Sequence, residues 1–259
     1  MKRTISPDRA SRPFPEHRSI RALGASGALV VALGLLVVMA PAASASGTEN
    51  STVWRQGHLA TTVVKNSTTA GYLSTISGQT SVFGTVVVPT FTCTGDELFD
   101  ISVQLEAFAN STNIPVVGFV LINCTSAGAA PTLDTAACAG SDCVQTVPVA
   151  AGDKVSMSDA FSATSSTATL SDDTTKMSET ETGPGATSAT NSNFVVQRGS
   201  ATIPTFTSIG FSGCTVDGTT LASTNPLKTN MTAANGATQV STKAINGKGA
   251  GFQARFKQS

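Results

Sequence analysis

Residues Phe99 to Phe108 read FDISVQLEAF, and this stretch decides the fold class of the 259-residue chain. Phe, Ile, Val, Leu and Ala occupy its odd-numbered positions from 99 to 107, and Asp, Ser, Gln and Glu occupy the even-numbered positions from 100 to 106. A period of two is typical of a β-strand with one buried face and one face toward solvent. The stretch therefore predicts such a strand, with its acidic residues on the solvated side.

The rest of the sequence contains further short strands separated by turn residues, and helical periodicity is almost absent. Predicted strands cover residues 82–89, 116–122, 154–164, 168–170, 176–182, 193–197, 205–211 and 252–256. Residues 183–192 and 222–240 are predicted to be loops. Regularly spaced short strands favour an all-β fold, which we predict to be a two-sheet antiparallel sandwich.

The first 45 residues have the composition of an export signal. Basic residues precede an apolar run from Gly27 to Ala40, and Ala43-Ser44-Ala45 is a small-x-small site that signal peptidase can cleave. An uncleaved membrane anchor is the alternative, but the run is shorter than the ~20 residues that a spanning helix needs. We predict a signal peptide over 1–45, a polar lead-in over 46–65 and a β-sandwich domain over 66–259. The protein is then secreted, with no membrane span after cleavage.

Charged residues are sparse after the predicted signal. Of sixteen basic and sixteen acidic side chains in the chain, six and two respectively precede residue 46, which leaves ten basic and fourteen acidic ones. A nucleic-acid surface needs clustered Lys and Arg, so nucleic acid is not an expected partner. Gly247-Lys248-Gly249 lacks the spacing of a phosphate-binding loop, and no cofactor is expected.

All five cysteines follow the predicted signal, and export permits disulfide bonds. Cys138 and Cys143 are predicted to pair and to close a small loop. A zinc site is not predicted, because His58 is the only histidine after residue 45 and such sites usually need more His and Cys ligands. A second disulfide is predicted, and the sequence leaves open which two residues form it among Cys93, Cys124 and Cys214.

Several stretches match one family pattern in order. Asn66–Tyr72 (NSTTAGY) leads into Ser81–Pro89 (SVFGTVVVP), a strand that ends in Val-Pro; Ala151–Val155 (AGDKV) and Asn193–Arg198 (NFVVQR) follow. Together with residues 204–214 and 247–256, they resemble the glutamic peptidase (eqolisin) family over residues 66–259. The resemblance implies a concanavalin A-like jelly-roll sandwich.

The resemblance also implies a chemistry. In this family a glutamic acid activates water and protonates the leaving nitrogen, and a glutamine stabilises the developing oxyanion. The position of the catalytic glutamate matches Asn193, and an acidic position four residues on matches Gln197. The glutamine is expected within residues 113–118, which read NIPVVG. Because asparagine cannot exchange a proton, the catalytic pair is predicted to be missing, and Asn193 and Gln197 remain as candidate binding residues on one strand face.

Four other residues are candidates to replace the missing pair. Gln104 and Glu106 are neighbours on one predicted strand face, and Glu179 and Glu181 are neighbours on another. Gln104 with Glu179 could face each other across a sheet, and Glu106 with Glu179 or Glu181 is the carboxylate pair that a sandwich glycosidase would need. The simpler interpretation is that all four side chains are solvated, as acidic residues on strand surfaces usually are.

The sequence therefore leads to two main hypotheses. The first is a secreted, non-catalytic sandwich, a pseudoenzyme that binds glycan or peptide or associates with a surface. The alternative is an acid endopeptidase of the glutamic type with relocated catalytic residues. A glutamate beside a glutamine on one concave face would favour the alternative, and a face of Ser, Thr, Asn and Val alone would oppose it.

Overall fold

The computed structural model describes residues 63–109, 112–145 and 147–257, which form sixteen β-strands and one short 3-10 helix, Leu221–Thr224. The strands are numbered in chain order. Six of them form a first layer in the spatial order β10 (Met177–Pro184), β9 (Ser165–Asp172), β8 (Lys154–Phe161), β3 (Ser81–Val87), β12 (Ser208–Val216) and β16 (Phe252–Phe256).

A second layer packs against the first. Its strands follow the order β7 (Asp142–Val144), β6 (Thr132–Ala139), β5 (Thr112–Cys124), β4 (Glu97–Ala109), β11 (Asn191–Arg198) and β2 (Thr69–Ser74). The hydrogen-bonded path continues from β2 to β16 through β14 (Leu227–Thr232) and β15 (Thr238–Thr242), so the two layers are joined at this end. The remaining strands, β1 (Val63–Asn66) and β13 (Thr219–Thr220), pair with β14 and β12.

The core lies between the two layers. Phe99, Ile101 and Val103 of β4 are fully buried there, as the alternating pattern predicts. The layers approach closely at Gly118 on β5, where an added Cβ atom would lie 3.1 Å from Cβ of Met157 on β8. Gly118 therefore faces the core.

The predicted fold class is confirmed: the described chain is an all-β antiparallel sandwich with almost no helix. The prediction of a loop over residues 222–240 was wrong, because this region contains the 3-10 helix, β14 and the start of β15. Within the described chain, no helix has the length and apolar character required to cross a bilayer. The predicted signal peptide and most of the lead-in lie outside the described residues.

Both predicted disulfide bonds are present. Cys138 pairs with Cys143 across β6 and β7, and Cys93 pairs with Cys124 at the end of β5. Cys214 on β12 is left as a free, buried thiol.

Candidate functional site

The candidate site lies on the outer face, which we define as the side of β2, β11, β4, β5 and β6 that points away from the first layer. One row of this face crosses all five strands in register, and its members are Leu73, Asn193, Gln104, Val117 and Cys138. Phe194 and Val103, the neighbours of Asn193 and Gln104 along the chain, point into the core instead. The row therefore places two amide side chains, Asn193 and Gln104, directly opposite each other.

The prediction that Gln104 and Glu106 are solvated was wrong. Each is only 2 % exposed, and so is Asn193, while Gln197 is also buried. Alternation along a strand distinguishes two faces, but it does not say whether the polar face is open to solvent. The strands that pack against β4 across the sandwich, β3 and β8, contact its inner side. The buried polar side chains therefore lie on the opposite side of the second layer from the core.

Glu106 occupies the next outer-face position along β4, two residues after Gln104 and about 7 Å from it along the strand. Nδ2 of Asn191, its register partner on β11, donates a hydrogen bond of 2.8 Å to Oε2 of Glu106. Burial raises the pKa of Glu106, and the hydrogen bond from Asn191 lowers it in part. Glu106 is therefore a carboxyl group that can hold its proton at a higher pH than a solvated glutamate.

A second acidic position lies further along the same face. Asp100 on β4 is the register partner of Gln197 on β11, and burial raises the pKa of Asp100 to about 7. Nε2 of Gln197 donates a hydrogen bond of 3.4 Å to Oγ of Ser102. Oδ1 of Asp100 is buried and has no hydrogen-bond partner in the described chain. Sequence reasoning did not select Asp100, although the period of two places it on the same face as Gln104.

Two further polar atoms of the outer face lack partners among the described residues. They are Oδ1 of Asn193 and Oγ1 of Thr69, which is the register partner of Gln197 on β2. Buried acceptors without a hydrogen bond are costly for folding and uncommon in proteins. With Oδ1 of Asp100, three of the nine unpartnered buried atoms in the described chain lie on the outer face, where a hydrogen-bond donor from a ligand would satisfy them.

The other half of the outer face is apolar. Val117, Ala136 and Cys138 form a small buried cluster on β5 and β6, and Phe119 packs against it. On the outer face, the polar side chains of β11 and β4 thus adjoin the apolar side chains of β5 and β6. The outer face therefore has a polar half and an apolar half.

The other predicted pairs are not brought together. Glu179 and Glu181 lie on β10 in the first layer, opposite Leu170 and Ala168 of β9, whose side chains face the core. Both glutamates are half-buried, on the inner side of the sandwich edge. Gln104 and Glu106 lie on the outer side of the second layer. Neither a Gln104–Glu179 pair nor a glycosidase pair of Glu106 with Glu179 or Glu181 is therefore formed.

The segment predicted to supply the catalytic glutamine contributes Val117 to the outer face. Its neighbour Gly118 faces Met157 in the core, so a side chain at position 118 would point away from Asn193. In the described part of the chain, His, Cys, Asp and Glu residues form no group of three or more that could hold a metal ion.

The architecture is that of the glutamic peptidases. No protein-family model matches the chain, and no curated protein is significantly similar to it. Scytalido-glutamic peptidase, solved with a peptide-based transition state analogue, is similar with a TM-score of 0.59 and 17 % identity over 74 % of this chain and 98 % of that chain. SCP-B, an eqolisin solved with the tripeptide Ala-Ile-His, has a TM-score of 0.57 and 16 % identity over the same shares. At these identities the similarity establishes the fold alone.

Proposed function

We propose that the protein is a secreted, non-catalytic member of the glutamic peptidase fold, and that its outer face binds peptides in an extended conformation. The observation that carries this proposal is the buried pair of Asn193 and Gln104 on the outer face. Asn193 occupies the position that the resemblance gives to the catalytic glutamate. Neither amide can serve as a general acid or base.

A peptide suits this face better than a glycan. Amide groups and unpartnered acceptors on β11 and β4 can bind the N–H groups of an extended backbone. The adjoining cluster of Val117, Ala136 and Cys138 can bind apolar side chains. Carbohydrate sites favour aromatic platforms, and the aromatic side chain on this part of the face is Phe119. SCP-B, which shares the fold, was solved with a bound tripeptide.

Secretion is proposed from two observations. The first 45 residues have the order of regions found in signal peptides. The two disulfide bonds of the domain would persist in an oxidising compartment.

The test is a comparison of cleavage and binding by the purified domain from residue 46 onward. A fluorogenic peptide library would be incubated with it from about pH 3 to pH 7, which brackets the titration of carboxyl groups. Binding to the same peptides, immobilised, would be measured in parallel. We expect binding without cleavage. Cleavage at any pH would overturn the non-catalytic assignment, and folded protein that binds no peptide would overturn the peptide-binding assignment.

The alternative function is acid endopeptidase activity with relocated residues, and one observation favours it. Gln104 and Glu106 lie side by side on one face, and burial raises the pKa of Glu106. In this mechanism Glu106 would activate water and Gln104 would stabilise the oxyanion. Acid cleavage lost in Glu106→Gln, but retained in the matched variant Glu179→Gln on the other layer, would support it.

A further inference from the structure

We infer that the outer face selects peptides that carry a lysine or arginine side chain, and that Asp100 is the anionic partner of that side chain. This inference rests on the proposed peptide-binding function and specifies the class of peptide. It depends on the charges of the outer face and on its unpartnered acceptors.

The charged residues of the outer face are all acidic. Among its described residues on β2, β11, β4, β5 and β6, they are Asp100, Glu106 and Asp134, and none is a lysine or arginine. Arg198 lies at the end of β11, but its Nη1 donates to the carbonyl oxygen of Ala201 and to Oε1 of Gln239. Once Asp100 and Glu106 are ionised, the face therefore has an excess of negative charge that a cationic ligand would neutralise.

The unpartnered atoms of this face also require donors. Oδ1 of Asn193, a residue that is 2 % exposed, and Oδ1 of Asp100 both accept no hydrogen bond in the described chain. An ammonium group offers three N–H donors and a guanidinium group five. A basic peptide thus supplies both the charge and the donors that the face lacks.

Asp100 is better placed than Glu106 to bind the cation. Glu106 already accepts a hydrogen bond of 2.8 Å from Asn191. The amide opposite Asp100, that of Gln197, donates to Ser102 instead. A hydrogen bond from Ser102 lowers the pKa of Asp100 in part, but the buried Oδ1 of Asp100 still has no partner in the described chain. A hydrogen-bonded charge pair at such a buried acceptor is among the stronger polar interactions.

The test compares peptides that differ in one side chain. Alanine-rich peptides with a single lysine, norleucine or acetyl-lysine would be titrated into the domain at pH 8 and low ionic strength, where Asp100 is ionised. Norleucine keeps the apolar stem without the charge, and acetyl-lysine keeps the length. We expect the lysine peptide to bind about tenfold more tightly than either, as a charged hydrogen bond would give.

The residue assignment is tested with Asp100→Asn, which should remove the preference for lysine over norleucine. Glu179→Gln is the control, because it removes one negative charge from the other layer and should keep the preference. Equal binding of the three peptides to the unmodified protein would overturn the inference while the proposed function stands. A preference that survives in Asp100→Asn would overturn the role of Asp100. Failure to bind any of the peptides would overturn the proposed function itself. The comparison of peptides on the unmodified protein remains decisive if the variant does not fold.

Discussion

Asn193 on β11 lies directly opposite Gln104 on β4, yet Oδ1 of Asn193 accepts no hydrogen bond in the described part of the chain. Both side chains are nearly inaccessible to solvent. A buried amide oxygen without a partner lowers the stability of the folded state. Proteins keep such groups mainly where function requires them. The unpartnered oxygen of Asn193 is therefore a candidate for a group that the fold itself does not require.

The first prediction concerns the stability of Asn193→Leu. Replacing this amide should leave the free energy of unfolding unchanged or raise it, because its buried Oδ1 has no hydrogen bond within the described chain to lose. The reverse change in the next row of the same strand, Val195→Asn, should cost about 1–3 kcal/mol by burying a new amide. Urea unfolding of both variants measures this. A loss above about 1 kcal/mol in Asn193→Leu would show that the amide supports the fold.

The second prediction concerns the pH dependence of stability. Asp159 on β8 is fully buried in the core. Burial holds its pKa well above the usual value, and a hydrogen bond from the backbone of Gly118 lowers it only in part. The folded state therefore binds the proton more tightly than the unfolded chain does. The contribution of Asp159 to stability is fully present below about pH 3.9, the pKa of an unfolded aspartate, and is lost as the pH rises through the pKa of Asp159 in the folded protein.

Asp159→Asn should accordingly flatten the decline of stability that begins as the pH rises above about 4. Some slope should remain, because the pKa of Asp100 is also raised, to about 7. Urea unfolding across this pH range measures the slope, and Asp142→Asn, at an exposed position on β7, is the control. An unchanged slope in Asp159→Asn would mean that Asp159 titrates normally in the folded protein.

The third prediction concerns the turn between β12 and β13. Oδ1 of Asp217 accepts hydrogen bonds of 2.9 and 2.8 Å from the backbone N–H groups of Thr80 and Ser81 at the start of β3. Asp217 also has a φ of +48°, which favours Asp, Asn or Gly. Asp217→Ala should lower the free energy of unfolding by about 1–2 kcal/mol. Asp217→Asn should lower it less, because asparagine keeps a hydrogen-bond acceptor and tolerates a positive φ. Equal stability of the two variants would contradict this account.

The fourth prediction ranks the two disulfide bonds. The Cys93–Cys124 bond spans 31 residues and both cysteines are buried, whereas the Cys138–Cys143 bond spans 5. Since a longer loop loses more chain entropy, removing the first bond should cost about 3.5 kcal/mol and removing the second about 2 kcal/mol. Paired cysteine-to-alanine variants, compared by thermal unfolding, test the order. The reverse order would indicate that loop length does not determine their contributions.

Alternation predicted the strands with a clear period of two and missed those without one. β4 and β16 were predicted nearly in full, because apolar residues occupy every second position. The sequence of β14, LKTNMT, contains two apolar residues in six, and its Thr229 and Thr232 are buried beside other strands rather than by their own character. Such a strand is specified by its neighbours, so its own sequence does not predict it.

The sequence selected individual residues of the candidate site, but it did not predict how they are arranged relative to one another. The period of two places Gln104 beside Glu106, and the resemblance selects Asn193. Sequence could not show that Asn193 and Gln104 are register partners, because the order of strands in a sheet is set by long-range pairing. For the same reason it could not place Glu179 and Glu181 in the opposite layer. The burial of Glu106 depends on the surroundings of a whole face, which no local pattern encodes.

Cys214 has a consequence for preparing the protein. Burial raises the pKa of its thiol to about 12, so the folded protein presents no reactive thiolate there. In the unfolded chain, however, Cys214 is as reactive as the other four cysteines and can attack their disulfides. A fifth cysteine multiplies the mispaired species that form during oxidative refolding. Cys214→Ala should therefore raise the yield of correctly paired protein recovered from the reduced, denatured chain.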